Sequence, residues 1–207
     1  MYKESPFQFG RSPDRRYATA MLIRERLSRA PAWPRHAEER VMTARDRPAL
    51  RAFEETDLFA VKSLVHRTIA ACYPGHYCME AVRFVANYHG DGAILEDARQ
   101  GCTLVLEKAG RILGTGTLVG DEIKRIFVEP GLQRHGLGRL IMQRLEAQAA
   151  LLGVATILLD ASLPAKQFYD GLGYATVERT SLEVENGRRL DHFKMRKTLT
   201  GLDGQPW

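Results

Sequence analysis

Cysteine is scarce: Cys72, Cys78 and Cys102 are three in number and lack metal-ligand spacing. They fit reduced thiols in a cytoplasm better than a disulfide framework. No run approaches the roughly 18 apolar residues of a membrane span, so no membrane partner is expected. Met1-Tyr2-Lys3-Glu4-Ser5-Pro6 leads into polar sequence rather than an apolar core, which argues against a secretory signal. His66, His76, His89 and His192 stand singly, without a metal pattern, and are expected on the surface or as satisfied core residues.

An excess of one charge is also missing from most of the chain. The net charge is +5, yet residues 1–48 alone hold eleven Lys or Arg against six Asp or Glu, and the remainder holds nineteen of each. The balanced body does not point to nucleic acid, while the basic extension keeps that partner open for residues 1–48. Six acidic residues in the extension argue against an organellar transit segment. Within it, Ser12 as N-cap, Pro13, and a stripe of Ala20, Ile23, Leu27 and Ala30 ended by Pro31 predict a short helix. Met42 is an alternative start of the chain.

From Ala49 the pattern becomes regular. Leu50 to Phe53 reads as a strand, and Thr56-Asp57 opens a helix with Leu58, Val61, Leu64, Val65 and Ile69 on one face. A break at Cys72-Tyr73-Pro74-Gly75 precedes a second helix, ended by His89-Gly90-Asp91-Gly92. Cys102–Glu107, Ile112–Val119 and Glu122–Val128 read as an antiparallel meander with turns at Ala109-Gly110 and Gly120-Asp121. A helix from Leu137 to Leu152 and an apolar strand, Val154–Leu159, then form a parallel crossover. A short helix near Pro164–Leu172 and two strands, near Tyr174–Arg179 and Leu190–Lys197, close the domain.

The informative stretch is Gln133-Arg134-His135-Gly136-Leu137-Gly138, between a strand and a helix. Such a turn leaves backbone N–H groups unpaired at the positive end of a helix dipole, a seat for phosphate oxygens. A P-loop would need Gly-Lys-Ser/Thr where Arg139-Leu140 follow. A dinucleotide fold would need a third glycine in place of Ile141 and repeated strand–helix–strand units rather than a meander.

The segment Glu122 to Tyr174 resembles the GNAT superfamily of acetyl-CoA-dependent acyltransferases. The family's cofactor loop, Gln/Arg-x-x-Gly-x-Gly/Ala, is met by Gln133, Gly136 and Gly138, after a strand ending in Val128 and followed by Pro130. Its aromatic-Tyr-x-x-x-Gly-aromatic signature is met by Phe168, Tyr169, Gly173 and Tyr174, and Phe193-Lys194-Met195-Arg196-Lys197 looks like its last strand. The resemblance covers roughly residues 49–198 and implies an α+β fold: a mostly antiparallel sheet of six to seven strands with one parallel crossover and helices on both faces. Residues 1–48 would then be a basic extension and 199–207 a tail.

The resemblance implies a direct transfer of acetyl from acetyl-CoA, as cosubstrate and without a metal, to an amine on a small molecule or peptide. It implies that the backbone of Ile126, Phe127 and Val128 pairs with the pantetheine arm. The amides of Gln133, Arg134, His135, Gly136, Leu137, Gly138 and Arg139 would meet the pyrophosphate, with charge from Arg134, His135 and Arg139. Asp160 would either touch the pantetheine or cap the turn after its strand. Tyr169 would protonate the leaving thiolate. Glu122 is the nominee for the base, against a water chain or an exposed strand-start carboxylate paired with Lys124. The acceptor is expected near Tyr73-Pro74-Gly75-His76-Tyr77 and the Asn186-Gly187 loop. A non-catalytic acyl-CoA sensor and an enzyme for an RNA-linked or ribosomal acceptor are the alternatives, and monomer and homodimer are both open.

Overall fold

A computed structural model describes residues 47–199. The helix expected at Ser12–Ala30 lies outside the described residues, as does nearly all of the basic extension and the tail.

The strands are β1 (Ala49–Ala52), β2 (Cys102–Lys108), β3 (Arg111–Val119), β4 (Glu122–Val128), β5 (Thr156–Ser162), β6 (Ala175–Glu183) and β7 (Arg189–Thr198). They form one sheet in the order β1-β2-β3-β4-β5-β7-β6. Every junction is antiparallel except β4–β5. The helices are α1 (Leu58–Cys72), α2 (Met79–Tyr88), α3 (Asp91–Gln100), α4 (Leu137–Leu151) and α5 (Lys166–Asp170).

Period-2 alternation along the strands feeds two cores. Leu104 and Leu106 of β2 pack with Ile141, Met142 and Leu145 of α4 on one face. Val105 turns the other way and packs with Val61, Val65 and Ile69 of α1. At the sheet's edge, Arg51 holds β1 to the start of α1. Its guanidinium donates to both carboxylate oxygens of Asp57 at 2.6 and 2.9 Å and to Glu107 at 2.7 Å. Both the seven-stranded sheet and its single parallel crossover agree with the fold read from the sequence.

The centre of the sheet is irregular in a way that matters. Thr115 of β3 pairs with Phe127 but Thr117 pairs with Lys124, so β4 carries one residue too many. Arg125 and Ile126 together oppose Gly116, and Arg125 takes φ 56°. The bulge lets Ile123 and Ile126, three residues apart, both face the α4 core while Phe127 faces α1. Opposite it, a Cβ on Gly116 would lie 2.5 Å from Ile126 Cδ1, 2.6 Å from Ile141 Cγ2 and 3.0 Å from Leu145 Cδ1, so α4 rests directly on the strand backbone.

Beyond the bulge the sheet opens. β4 and β5 are paired at Glu122–Leu158, where the Leu158 N–H donates to Asp121 O at 2.9 Å. No ladder joins Ile126, Phe127 or Val128 to β5.

Three local expectations change. The second helix ends with His89 as its C-cap, as expected, but Asp91-Gly92 then opens a separate helix, α3, with Gly90 as N-cap, which the sequence reading did not contain. β5 runs on to Ser162 rather than stopping at Leu159, which places Asp160 inside the strand and removes the turn-capping role. The short helix after β5 splits into a 3-10 turn, Leu163–Ala165, and α5.

Candidate active site

The chain leaves β4 through a 3-10 turn, Pro130–Leu132, and enters the glycine loop. Arg134 (φ 63°) and Gly136 (φ 82°) both take left-handed backbone, which turns successive N–H groups outward. Leu140 N–H to Gly136 O, at 3.0 Å, joins α4 to its N-cap, so the amides of Leu137, Gly138 and Arg139 lie ahead of the helical ladder. A Cβ on Gly136 would meet nothing within 4 Å, so the space ahead of these amides is open. Gly138 serves a different purpose: a Cβ there would come within 3.2 Å of the Phe168 ring. Open amides, a helix N-terminus and clear space in front of them fit a pyrophosphate.

The Gln133 side chain turns inward. Its Nε2 donates to Val128 O at 3.2 Å and contacts Cys72 Sγ at 3.5 Å, which ties the loop to the end of β4 and to α1. Arg134, His135 and Arg139 are exposed on the loop's outer side. His135 Nδ1 donates to Gln133 O at 2.8 Å, and Arg139 Nη2 donates to Gly171 O at 3.3 Å.

Where β4 and β5 part, a cavity of about 110 Å³ opens on the α1 face. It is lined by β4 from Glu122 to Phe127, by Asp160 and Ser162, by Tyr169 of α5, and by Leu190 and His192 of β7. Tyr73 and Tyr77, from the break after α1, form the opposite wall with Tyr88 and His89. The Tyr77 hydroxyl accepts from Leu163 N–H at 2.7 Å and donates to Asp191 O at 2.9 Å. The Asn186-Gly187 loop is not among the lining residues; Asn186 Nδ2 instead reaches Glu80 Oε1 at 3.5 Å.

Titratable groups in this cavity are strongly perturbed. Glu122 is not an exposed strand-start carboxylate: 17% of its side chain is accessible and it sits 3.3 Å from Lys124. Burial pushes its carboxyl above the ordinary range, against the pull of Lys124. Burial, followed by the charge of Glu122, pushes Asp160 up to about 7. Burial also raises the Tyr169 phenol, which keeps it protonated, while its ring packs edge-on against Phe168 and Tyr174. His89 is buried with no partner at Nδ1, and burial holds its imidazole well below the ordinary value.

The structure thus gathers Glu122, Ile126, Phe127, Asp160 and Tyr169 around one cavity, with Val128 and the loop from Gln133 to Arg139 leading away from it. Sequence reasoning missed Asp97 of α3, whose carboxylate takes the Arg125 guanidinium and lies 3.7 Å from Lys124. The usable signal was Gly90 before an Ala93, Ile94 and Ala98 stripe, with Gly101 as the stop.

The model of the acetyltransferase (GNAT) domain family matches residues 75–199. The chain belongs to this family. Among curated proteins, an IAA acetyltransferase of Azospirillum brasilense is 30% identical over 66 residues, 29% of this chain. The match spans 43% of that relative's length. A solved structure described as a GCN5-related N-acetyltransferase (aminotransferase, class-II) from Rhodopseudomonas palustris superimposes with a TM-score of 0.68 at 24% identity. It covers 76% of this GNAT chain and 99% of the other. The yncA protein of Salmonella typhimurium, solved with its cofactor acetyl-CoA, gives a TM-score of 0.54 at 18% identity over 75% of this chain and 96% of its own. At these identities the likeness of the solved structures concerns the fold. Among the described residues no group of His, Cys, Asp and Glu is arranged for a metal, and no helix is long and apolar enough to cross a membrane.

Proposed function

We propose that residues 49–198 are an N-acetyltransferase domain that moves acetyl from acetyl-CoA to an amine. The observation that carries this is the cavity at the β4–β5 opening, where Tyr169, Glu122 and Asp160 converge at one end of a strand whose other end runs into open loop amides. Acetyl-CoA supplies an activated thioester. The part of β4 that forms no ladder with β5, at Ile126, Phe127 and Val128, lies along the pantetheine arm, with Val128 O already engaged by Gln133 Nε2 and Thr68 Oγ1, and the amides from Gln133 to Arg139 hold the pyrophosphate. Arg134, His135 and Arg139 flank it, while Gln133 keeps the loop in shape. Tyr169 gives its phenolic proton to the leaving sulfur. A carboxylate facing the cavity takes the proton of the amine. Three free thiols, Cys72, Cys78 and Cys102, fit a reducing, cytoplasmic setting.

Acetyl-CoA at a hundredfold excess over its Kd is expected to stabilise the protein by about 2.7 kcal/mol, read as a rise in Tm. A panel of amines, polyamines, amino acids, aminoglycosides and peptides is then assayed for CoA release. An unmoved Tm together with silence across the panel removes this reading.

A further inference from the structure

One carboxylate in the cavity, that of Asp160, accepts no hydrogen bond, although Lys194 stands opposite it in the β5–β7 register. On the β4 wall, Asp97 takes Arg125 and lies 3.7 Å from Lys124, and Lys124 lies 3.3 Å from Glu122. Two cations therefore serve two carboxylates. From β7, Lys194 lies 3.6 Å from Glu178 of β6. Burial lowers the imidazoles of His89 and His192, so neither brings a standing positive charge at neutral pH. Both carboxylate oxygens of Asp160 are buried and neither has a hydrogen-bond partner.

The strand explains why it points there. Ile157, Leu159 and Ala161 go to the α4 core, so the residues between them, Asp160 included, project to the opposite face, where the cavity lies. A charged side chain with no hydrogen-bond partner is costly to bury, and such groups are kept where a ligand completes them.

We infer that Asp160 receives the ammonium group of the acceptor and takes its proton, and that the acceptor is a primary amine on an apolar or aromatic stem. This rests on the acetyltransferase reading above and assigns the base within it. An ammonium brings the unit charge and the three N–H donors that two bare carboxylate oxygens can accept. The stem follows from the rest of the wall, which is Tyr73, Tyr77, Val85, Tyr88 and Leu190. Glu122 is held by Lys124 and acts as a positioning residue: its charge adds to burial in raising the proton affinity of Asp160, against the pull of Lys194 and Lys124. The resulting value near 7 suits proton transfer around neutrality.

In the step, Asp160 takes one proton from R–NH3⁺. The freed amine forms the C–N bond to the acyl carbon as the C–S bond breaks. Tyr169 protonates the departing thiolate and is restored by the surplus proton on nitrogen. Asp160 releases its proton to solvent, so ammonium and thioester become amide, thiol and one proton.

The test compares wild type with Asp160→Asn, using phenethylamine as probe and uncharged 2-phenylethanol as control. Phenethylammonium is expected to raise the Tm of wild type and leave that of the variant unmoved, while the alcohol moves neither. The variant should itself be folded and at pH 8 should melt above wild type. A carboxyl raised from about 4 when unfolded to about 7 when folded costs stability as pH rises through that window, and asparagine removes this loss. With any amine that releases CoA from wild type, the variant should lose on the order of 100-fold in kcat. Its KM for acetyl-CoA should not change, and the rise of kcat/KM across about pH 6–8 should disappear. A variant that keeps that rise, or equal protection of both proteins by phenethylamine, overturns the assignment and leaves the acetyltransferase reading standing. CoA release absent across the whole panel, with phenethylammonium protecting wild type alone, overturns the acetyltransferase reading and leaves the ammonium site standing.

Discussion

Tyr169→Phe is expected to lower turnover by on the order of 100-fold or more while leaving the affinity for acetyl-CoA unchanged. The substitution removes one oxygen and nothing else. The ring keeps its edge-on contacts with Phe168, at 5.1 Å between centroids, and with Tyr174, at 5.8 Å, so the local packing is retained. What goes is a buried phenol whose burial holds it protonated at any working pH. If that proton goes to the leaving sulfur, its loss is felt in the transition state and not in donor binding, so kcat falls and KM does not. Steady-state kinetics with acetyl-CoA varied at fixed amine separate the two. Equal kcat in wild type and variant would remove Tyr169 as the acid.

The second large effect is on stability. Gly116→Ala is expected to cost about 1–3 kcal/mol by overpacking. The new methyl would meet Ile126, Ile141 and Leu145 together, and Ile141 presents a Cγ2 on its stiff branched carbon rather than a flexible end. Relief requires α4 to lift from the sheet or the β4 bulge to shift. Thermal unfolding reads the first: a loss of this size lowers Tm by roughly 2–4 °C per kcal/mol in a domain of this length. A change at Gly75, where a Cβ would meet nothing within 4 Å, is the control and should leave Tm within error.

The β2–β3–β4 meander and the crossover were readable because alternation and glycine turns are local signals, and from Cys102 to Val128 they follow one another without interruption, whereas the insertion of β7 between β5 and β6 was not. The loop from Gln133 to Gly138 was readable for the same reason. α3 was not, because Gly90-Asp91-Gly92 reads as a breaker when it is in fact the start of a helix with one fully buried apolar residue, Ile94. The β4 bulge was also hidden. Ile123-Lys124-Arg125-Ile126-Phe127 gives no sign that Arg125 would adopt a left-handed backbone, a feature that follows from pairing against Gly116 and from the pull of Asp97 across space. Glu122 and Asp160 were both noticed in the sequence. The difference between them, one paired and the other bare, comes from long-range neighbours that no spacing encodes.

The single rung at Glu122–Leu158 has a mechanical consequence. On the α1 face, β1 through β4 make one half-shell and β5 through β7 the other, hinged at that rung and strapped by Tyr77, whose hydroxyl reaches both Leu163 and Asp191. Under the sheet the α4 core runs unbroken from Leu104 to Met195, a common floor for both halves. On the acetyltransferase proposal, a slender arm filling this seam is expected to stiffen the molecule, with backbone groups along β4 serving as the rungs the sheet lacks.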